Sequence, residues 1–147
     1  AHKWMDISDS NYGVSILNDC KYGHSARGNK ISITLLKSAK FPDRSADMGT
    51  HEFTYSLLPH DGTAVSGETV KQANLLNMPP LVLSGKSAAE NKKLFTVNSE
   101  NVIIDAVKQA DDGNGIILRL HECRGGKARV NISSDYDVSS FTPCNLL

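Results

Sequence analysis

Hydrophobic and polar residues alternate with a period of two along several short segments of the chain. This period is typical of β-strands that bury one face and leave the other polar. We predict strands at Trp4 to Ile7, Tyr12 to Leu17, Lys30 to Leu36, His51 to His60, Leu94 to Val97, Val102 to Val107, Ile116 to Leu120 and Ala128 to Ile132. Many short strands separated by turns favour an antiparallel arrangement.

The run from His51 to His60 has the clearest alternation of aromatic and polar residues. Phe53, Tyr55 and Leu57 lie on one predicted face, which we expect to point into the core. Pro59 lacks a backbone donor and is followed by turn residues, so the strand is predicted to stop there.

One segment, Ser66 to Asn77, has helical spacing instead, and Pro79 and Pro80 stop the pattern. Glu68 is placed in the predicted first turn. The apolar residues that we expect to form the buried face are Val70, Ala73 and Leu76.

With 147 residues the chain has room for one domain with a hydrophobic core. The glycine-rich run Asp111 to Gly115 predicts a hairpin turn between two of the last strands. Together these patterns predict an all-β fold, an antiparallel β-sandwich with one short helix, as a single domain over residues 1–147.

Charge balance and apolar content exclude two classes of partner. Sixteen basic and sixteen acidic side chains are interspersed without a basic stripe, so we expect no nucleic-acid partner. No apolar run approaches the roughly 20 residues of a membrane span, so no membrane partner is expected. The chain opens at Ala1 with neither an initiating Met nor a signal peptide, which indicates a fragment or processed product.

Three cysteines, Cys20, Cys123 and Cys144, are odd in number and widely spaced. They match neither a disulfide framework nor a Cys-x-x-Cys motif. Free thiols suit a reducing compartment, so we expect a cytoplasmic protein.

The residues alone indicate no catalytic constellation. Five histidines are scattered without metal-ligand spacing, so no metal site is predicted. Asp43, Asp47 and Glu52 lie close enough in sequence to offer paired carboxylates, but such clusters are usually solvated. No nucleophile elbow, phosphate loop or dinucleotide fingerprint is present.

Four stretches nevertheless form a specific pattern in order and spacing: His2 to Gly23, Pro42 to Gly62, the Ala-x-x-Leu-Asn-x-Pro motif at Ala73 to Pro79, and Asn101 to Glu122. They resemble the C-terminal β region of α-mannosidases of glycoside hydrolase family 38, particularly the cytosolic and bacterial type. The resemblance covers nearly the whole chain. His121 departs from it, because an aromatic Tyr or Phe is expected there.

The resemblance implies a retaining exo-α-mannosidase in which one zinc ion binds the sugar and an aspartate attacks it. It places those groups in an N-terminal α/β domain, followed by a helical bundle, and neither is in this chain. It therefore implies no catalytic residue, metal ligand or cofactor here, although zinc is implied for the full-length enzyme. The implied partners are the missing catalytic and helical domains and a mannose-containing oligosaccharide.

In such enzymes some loops of the terminal β region approach the sugar-binding cleft. The candidates in the matching motifs, for the cleft or the interdomain contact, are Asn18, Asp19, Lys37, Asp43 and His51. The alternative is that these residues only hold turns; Asn18 and Asp19 could form an Asx turn.

An autonomous carbohydrate-binding or adhesion-type β-sandwich is the other functional class. Such a module needs exposed aromatic side chains that stack on sugars. Trp4 is the single Trp, and most Tyr and Phe residues fall on positions predicted to face the core, which favours the non-catalytic domain of a larger enzyme.

Overall fold

A computed structural model describes residues 1–65, 68–86 and 91–145. The chain divides into two compact units, Ala1–Val82 and Leu83–Leu147. Each unit has its own antiparallel strand pairs, and the two are described separately below. The prediction of a single domain over residues 1–147 stays a prediction.

The first unit contains a three-stranded antiparallel sheet, a separate hairpin and one helix. The sheet has the order β1-β2-β5, with β2 in the centre. The strands of the sheet are β1 (Trp4–Ser8), β2 (Tyr12–Asn18) and β5 (Tyr55–Asp61). The strands of the hairpin are β3 (Gly23–Arg27) and β4 (Lys30–Thr34). The hairpin β3–β4 was only partly predicted, since the sequence indicated a turn and a short return where β3 forms.

Strand β5 differs from its prediction in both extent and orientation. It runs through Pro59 to Asp61, which is possible because β5 is an edge strand whose outer side needs no donor. Tyr55 and Leu57 are mostly exposed, so the prediction that they face the core is wrong. Leu58 and His60, on the opposite face, are the partly buried residues. The buried side of this strand is therefore its more polar side.

Helix α1 (Thr69–Asn77) confirms the predicted helix, although residues 66 and 67 of that prediction lie outside the described part. Glu68 occupies the N-cap position rather than the first turn, and its carboxylate accepts a hydrogen bond from Gln72 Nε2 at 3.0 Å. The fully buried positions are Thr69 and Ala73, four residues apart on one face. Of the predicted buried positions Ala73 is confirmed, whereas Val70 and Leu76 are only partly buried and Thr69 was not predicted.

The second unit contains two antiparallel pairs: β7 (Val102–Gln109) with β8 (Ile116–Glu122), and β6 (Thr96–Val97) with β9 (Ile132–Ser133). The predicted hairpin turn is confirmed, with the Ala110 N–H donating to the Gly115 carbonyl at 3.0 Å. The strand predicted at Ala128 to Ile132 is wrong, because pairing begins only at Ile132. A register shift at Asp105 bulges β7.

The fold class is confirmed for the described residues, which form antiparallel strands with one short helix. None of the helical residues described here makes a segment long and apolar enough to cross a membrane.

Candidate functional site

Asn18 ends β2, and its side chain and carbonyl hold the turn that follows. Its side chain is fully buried. Its Oδ1 accepts the Lys21 N–H at 2.8 Å, which forms the predicted Asx-type turn, and its Nδ2 donates to the His2 carbonyl at 3.0 Å. The carbonyl of Asn18 accepts a hydrogen bond from Asn77 Nδ2 at 2.9 Å. Asn18 is therefore a buried junction between β2, the turn and α1.

Asp19 joins this turn to the segment that leads into β5. Its Oδ2 accepts the Thr54 N–H at 2.9 Å, and its own N–H donates to the Thr54 carbonyl at 3.2 Å. The adjacent Cys20 thiol, and then the Thr54 N–H, hold the pKa of the Asp19 carboxyl below its ordinary value of 3.8. The same neighbour raises the pKa of the Cys20 thiol, because a carboxylate opposes formation of a thiolate. Asp19 is accordingly an ionised carboxylate at neutral pH.

Two polar atoms around this turn are buried without a hydrogen-bond partner among the described residues. They are Oδ1 of Asp19 and Nδ1 of His24. The Nε2 atom of His24 lies 3.3 Å from Asn18 Nδ2. Since the amide nitrogen can only donate, Nε2 acts as the acceptor and Nδ1 carries the proton. Both atoms are enclosed within this chain, so neither is available at the surface of the turn.

The remaining candidates lie on the segment between β4 and β5. Lys37 is exposed and has no hydrogen bond or ion pair within the described ranges. Asp43 is exposed, and its Oδ1 accepts both the N–H and the hydroxyl of Ser45 at 2.8 and 2.7 Å. Those bonds keep the pKa of the Asp43 carboxyl below its ordinary value. His51 is exposed, with Nε2 lying 2.7 Å from the Asp47 carbonyl oxygen.

The structure brings some of these candidates together and leaves others apart. Asn18 and Asp19 form one turn, and Asp43 and His51 belong to one internally hydrogen-bonded loop. The Asp19–Thr54 bonds connect the turn to the chain just beyond His51. No hydrogen bond or ion pair among the described residues joins Lys37 to the rest.

The sequence pattern missed three residues that shape this region. Asn77, which lies in the Ala-x-x-Leu-Asn-x-Pro motif, reaches from α1 to Asn18. Lys21 Nζ stands 4.7 Å from the centroid of the Phe53 ring, a cation–π distance. His24 lies beside the turn, with Nε2 close to Asn18, and only its position after Asn18 and Asp19 in the sequence indicates this.

A buried polar cluster lies on the face of the β1-β2-β5 sheet that α1 covers. Nε2 of His60 is 2.6 Å from Oδ2 of Asp6. The Ser15 hydroxyl donates to that same oxygen at 2.6 Å and lies 2.7 Å from the Thr69 hydroxyl. Because Ser15 donates to the carboxylate, Thr69 must donate to Ser15. The cluster ties the helix to the sheet.

The pKa values in this cluster move in the directions expected of an ion pair. Burial alone would raise the pKa of Asp6, but the hydrogen bonds from Ser15, Ser8 and His60 outweigh it and hold the pKa below 3.8. The hydrogen bond to Asp6 raises the pKa of His60 above 6.5 against the opposing effect of burial. Ser15 contacts Asp6 rather than His60 and is fully buried, so the cluster does not have the geometry of a nucleophilic triad.

Nothing among the described residues resembles a metal centre. The His, Cys, Asp and Glu side chains there form no group of three or more that could hold an ion. Asp43, Asp47 and Glu52, considered above as paired carboxylates, are all exposed to solvent. Their arrangement does not fit a zinc ion, which needs at least three converging ligands.

Two family models match opposite ends of the chain. Residues 1–45 match the "Glycosyl hydrolases family 38 C-terminal domain", and residues 101–147 match the "Glycosyl hydrolases family 38 C-terminal beta sandwich domain". The first match includes the Asn18–Asp19 turn, and the second includes all of β7 and β8.

Similarity to curated proteins extends between these two matches. The chain is 39% identical to alpha-mannosidase 2C1 of Mus musculus and 40% identical to that of Homo sapiens, with all of the chain aligned. It is 39% identical to alpha-mannosidase G of Dictyostelium discoideum over 98% of its length. The chain spans only 14–15% of the length of these relatives.

Proposed function

Since this chain belongs to glycosyl hydrolase family 38, as the C-terminal β-sandwich domain of its α-mannosidases, we propose that it completes a longer enzyme that hydrolyses terminal α-D-mannosides with retention. The observation that carries the proposal is the near 40% identity along the whole chain to proteins named as α-mannosidases. An alignment that covers the whole chain supports a shared role for the domain as well as a shared fold.

In this proposal the chain has no catalytic residue of its own. Among the described residues, Ser15, His60 and Asp6 form a catalytic-type combination, but it is sealed beneath α1, with the His60 and Asp6 side chains only 5% and 7% exposed. A substrate cannot reach it. In this proposal the zinc ion and the attacking aspartate belong to the N-terminal α/β catalytic domain of the full-length enzyme, and the isolated chain is inactive and needs no cofactor.

The proposed work of the domain is to support the catalytic part and to meet it through the candidate loops. The exposed side chain of Lys37, which has no hydrogen bond or ion pair within the described residues, supports this role. The buried Asn18 side chain holds the Asn18–Asp19 turn in place. The groups proposed to contact the catalytic domain or a mannose-containing oligosaccharide are those of Asp19, Lys37, Asp43 and His51.

The autonomous carbohydrate-binding module is not favoured, although one argument against it fails. All four tyrosines, Tyr12, Tyr22, Tyr55 and Tyr136, are more than half exposed, contrary to the expectation that most face the core. What disfavours the module is the similarity itself, which is to the C-terminal β-sandwich of enzymes. We further propose that the full-length protein acts in the cytoplasm, where three unpaired thiols are chemically reasonable.

The experiment compares two purified proteins with an aryl α-mannoside. The full-length protein is expected to release the aryl alcohol, to lose this activity on chelation and to regain it with zinc. The 147-residue chain is expected to release none under the same conditions. Activity of the isolated chain, or a full-length protein without α-mannosidase activity, contradicts the proposal.

A further inference from the structure

Two large apolar side chains project from the loop of residues 41–52, which we call the anchor loop. The side chain of Phe41 is 86% exposed and that of Met48 is 77% exposed. Scattered exposed apolar residues are ordinary on protein surfaces. Here, however, two of the most exposed ones stand on one short loop whose conformation is fixed independently of them.

Hydrogen bonds within the anchor loop fix its backbone. Asp43 Oδ1 accepts both donors of Ser45, the Met48 N–H donates to the Ser45 carbonyl at 3.1 Å, and the His51 ring bonds the Asp47 carbonyl oxygen. Neither the phenyl ring nor the thioether takes part in these contacts. The loop therefore presents both apolar groups at low entropic cost, which is what preorganises an interaction surface.

Charge around the two side chains limits the class of partner. The three cations Lys37, Lys40 and Arg44 are balanced by the three anions Asp43, Asp47 and Glu52. A locally neutral surface attracts neither nucleic acid nor an anionic membrane. Apolar anchors within a rim of mixed charge are instead the composition of a protein–protein contact.

We propose that Phe41 and Met48 are the anchors by which this loop docks into an apolar pocket on the rest of the full-length enzyme. This rests on the proposed function only in taking the chain as part of a longer protein. The relatives are about seven times longer than their aligned segment, which covers 14–15% of them, so most of the covering surface belongs to the same polypeptide. The pocket is lined by aliphatic or aromatic groups that fit a phenyl ring and a thioether.

The test is oxidation of Met48 by hydrogen peroxide in the native full-length enzyme, followed by peptide mass spectrometry. The reference is Met48 in the same protein unfolded by urea. A docked thioether is expected to oxidise at least about tenfold more slowly than in the unfolded protein, because oxidation then requires local opening. Oxidation within about twofold of the unfolded rate overturns the proposal.

A variant and its matched control connect the protection to Phe41. In the full-length enzyme Phe41→Ser is expected to speed Met48 oxidation about tenfold, since a buried phenyl contributes at least that factor to docking. Phe141→Ser, which changes another exposed phenylalanine (71%), is expected to leave the rate unchanged. Equal effects of the two substitutions contradict an anchor role for Phe41.

Two further outcomes separate this proposal from its alternatives. Protection of Met48 that disappears when a dimer is diluted to monomers assigns the contact to a second copy and overturns docking within one chain. The rate of Met48 oxidation by hydrogen peroxide does not depend on whether the enzyme turns over a substrate. A protected Met48 in a protein without α-mannosidase activity therefore upholds the docking and refutes only the proposed reaction.

Discussion

His60 and Asp6 form a buried ion pair across the width of the three-stranded sheet, from β5 on one edge to β1 on the other. Their side chains approach to 2.6 Å with exposures of 5% and 7%. Between them, on β2, lies Gly13, whose Cα partners are His60 on one side and Ser8 on the other. The absence of a side chain at position 13 gives the imidazole room to reach Asp6.

Because of this pair, we expect the free energy of unfolding to be highest over a range of pH and to fall on both sides of that range. The folded state binds the His60 proton more tightly than the unfolded state does. The stabilisation that this proton gives the fold is therefore complete below pH 6.5 and is lost as the pH rises through the raised pKa of His60. The folded state binds the Asp6 proton less tightly than the unfolded state does. The stabilisation from the ionised Asp6 carboxylate is therefore complete above pH 3.8 and is lost as the pH falls through the lowered pKa of Asp6. For this pair the range lies between those values.

The measurement is the urea midpoint of the chain between pH 5 and 9, for the wild type and His60→Gln. The substitution is expected to remove most of the decline above pH 6.5. Truncation to His60→Ala is expected to cost about 1–3 kcal/mol, because Asp6 loses a charged hydrogen-bond partner while Ser8 and Ser15 still donate to it. His51→Gln, which changes an exposed histidine, is the control and should keep the wild-type profile. Identical profiles for His60→Gln and the wild type would refute the prediction.

Gly13→Ala is expected to destabilise the fold by about 1–3 kcal/mol, the usual cost of overpacking. A Cβ atom at Gly13 would stand 2.5 Å from Ser8 Cβ and 2.8 Å from His60 Nε2. It would force the imidazole away from Asp6. Gly126→Ala is the matched control, because its Cβ meets nothing within 4 Å. Equal urea midpoints for the two variants would show that the sheet adjusts at no cost.

Most strands of the first unit were predicted from the sequence, but the face of β5 that was predicted to be buried is exposed. Period-two alternation locates a strand reliably, and it also suggests that the more apolar face is buried. Here Tyr55 and Leu57 lie on the exposed face, while the other face packs under α1 through Asp6, Ser15, His60 and Thr69. Such burial depends on pairing between residues 54 positions apart, which periodicity does not encode.

The candidate site was predictable to a similar extent. The Asx turn at Asn18 and Asp19 follows from local chemistry and is confirmed. That Asn18 is fully buried beneath Asn77 of α1, 59 residues later, depends on tertiary packing and was not predicted. Whether Asp19, Lys37, Asp43 and His51 meet sugar or protein depends on a surface outside this chain, so their roles stay predictions.

Asn18→Ala is expected to lower the free energy of unfolding by about 1–3 kcal/mol per partner left unpaired in the interior. The substitution removes the acceptor of the Lys21 N–H and the donor to the His2 carbonyl. Because the side chain is fully buried, the Michaelis constant of the full-length enzyme should stay nearly unaltered. Asn98→Ala removes a comparable Asn-to-backbone bond on the surface and should cost less. A changed Michaelis constant with normal stability would mean that Asn18 reaches the substrate.

The other four candidates are compared in the full-length protein, because their proposed role is in the contact between domains. In the proposed enzyme, Asp19, Lys37, Asp43 and His51 hold the contact with the catalytic domain, so alanine at each should lower the melting temperature of the full-length protein. The same substitutions at Lys37 and His51 should leave the isolated chain nearly unaffected, because both side chains are exposed there. The Michaelis constant should hardly change.

A residue that bonds the sugar would behave differently, since an unpaired charged group typically costs about 1–3 kcal/mol, roughly five- to hundredfold in that constant. Kinetics and melting measured together on the four single variants decide between the two roles. Wild-type values in both measurements for all four would mean that these loops face only solvent.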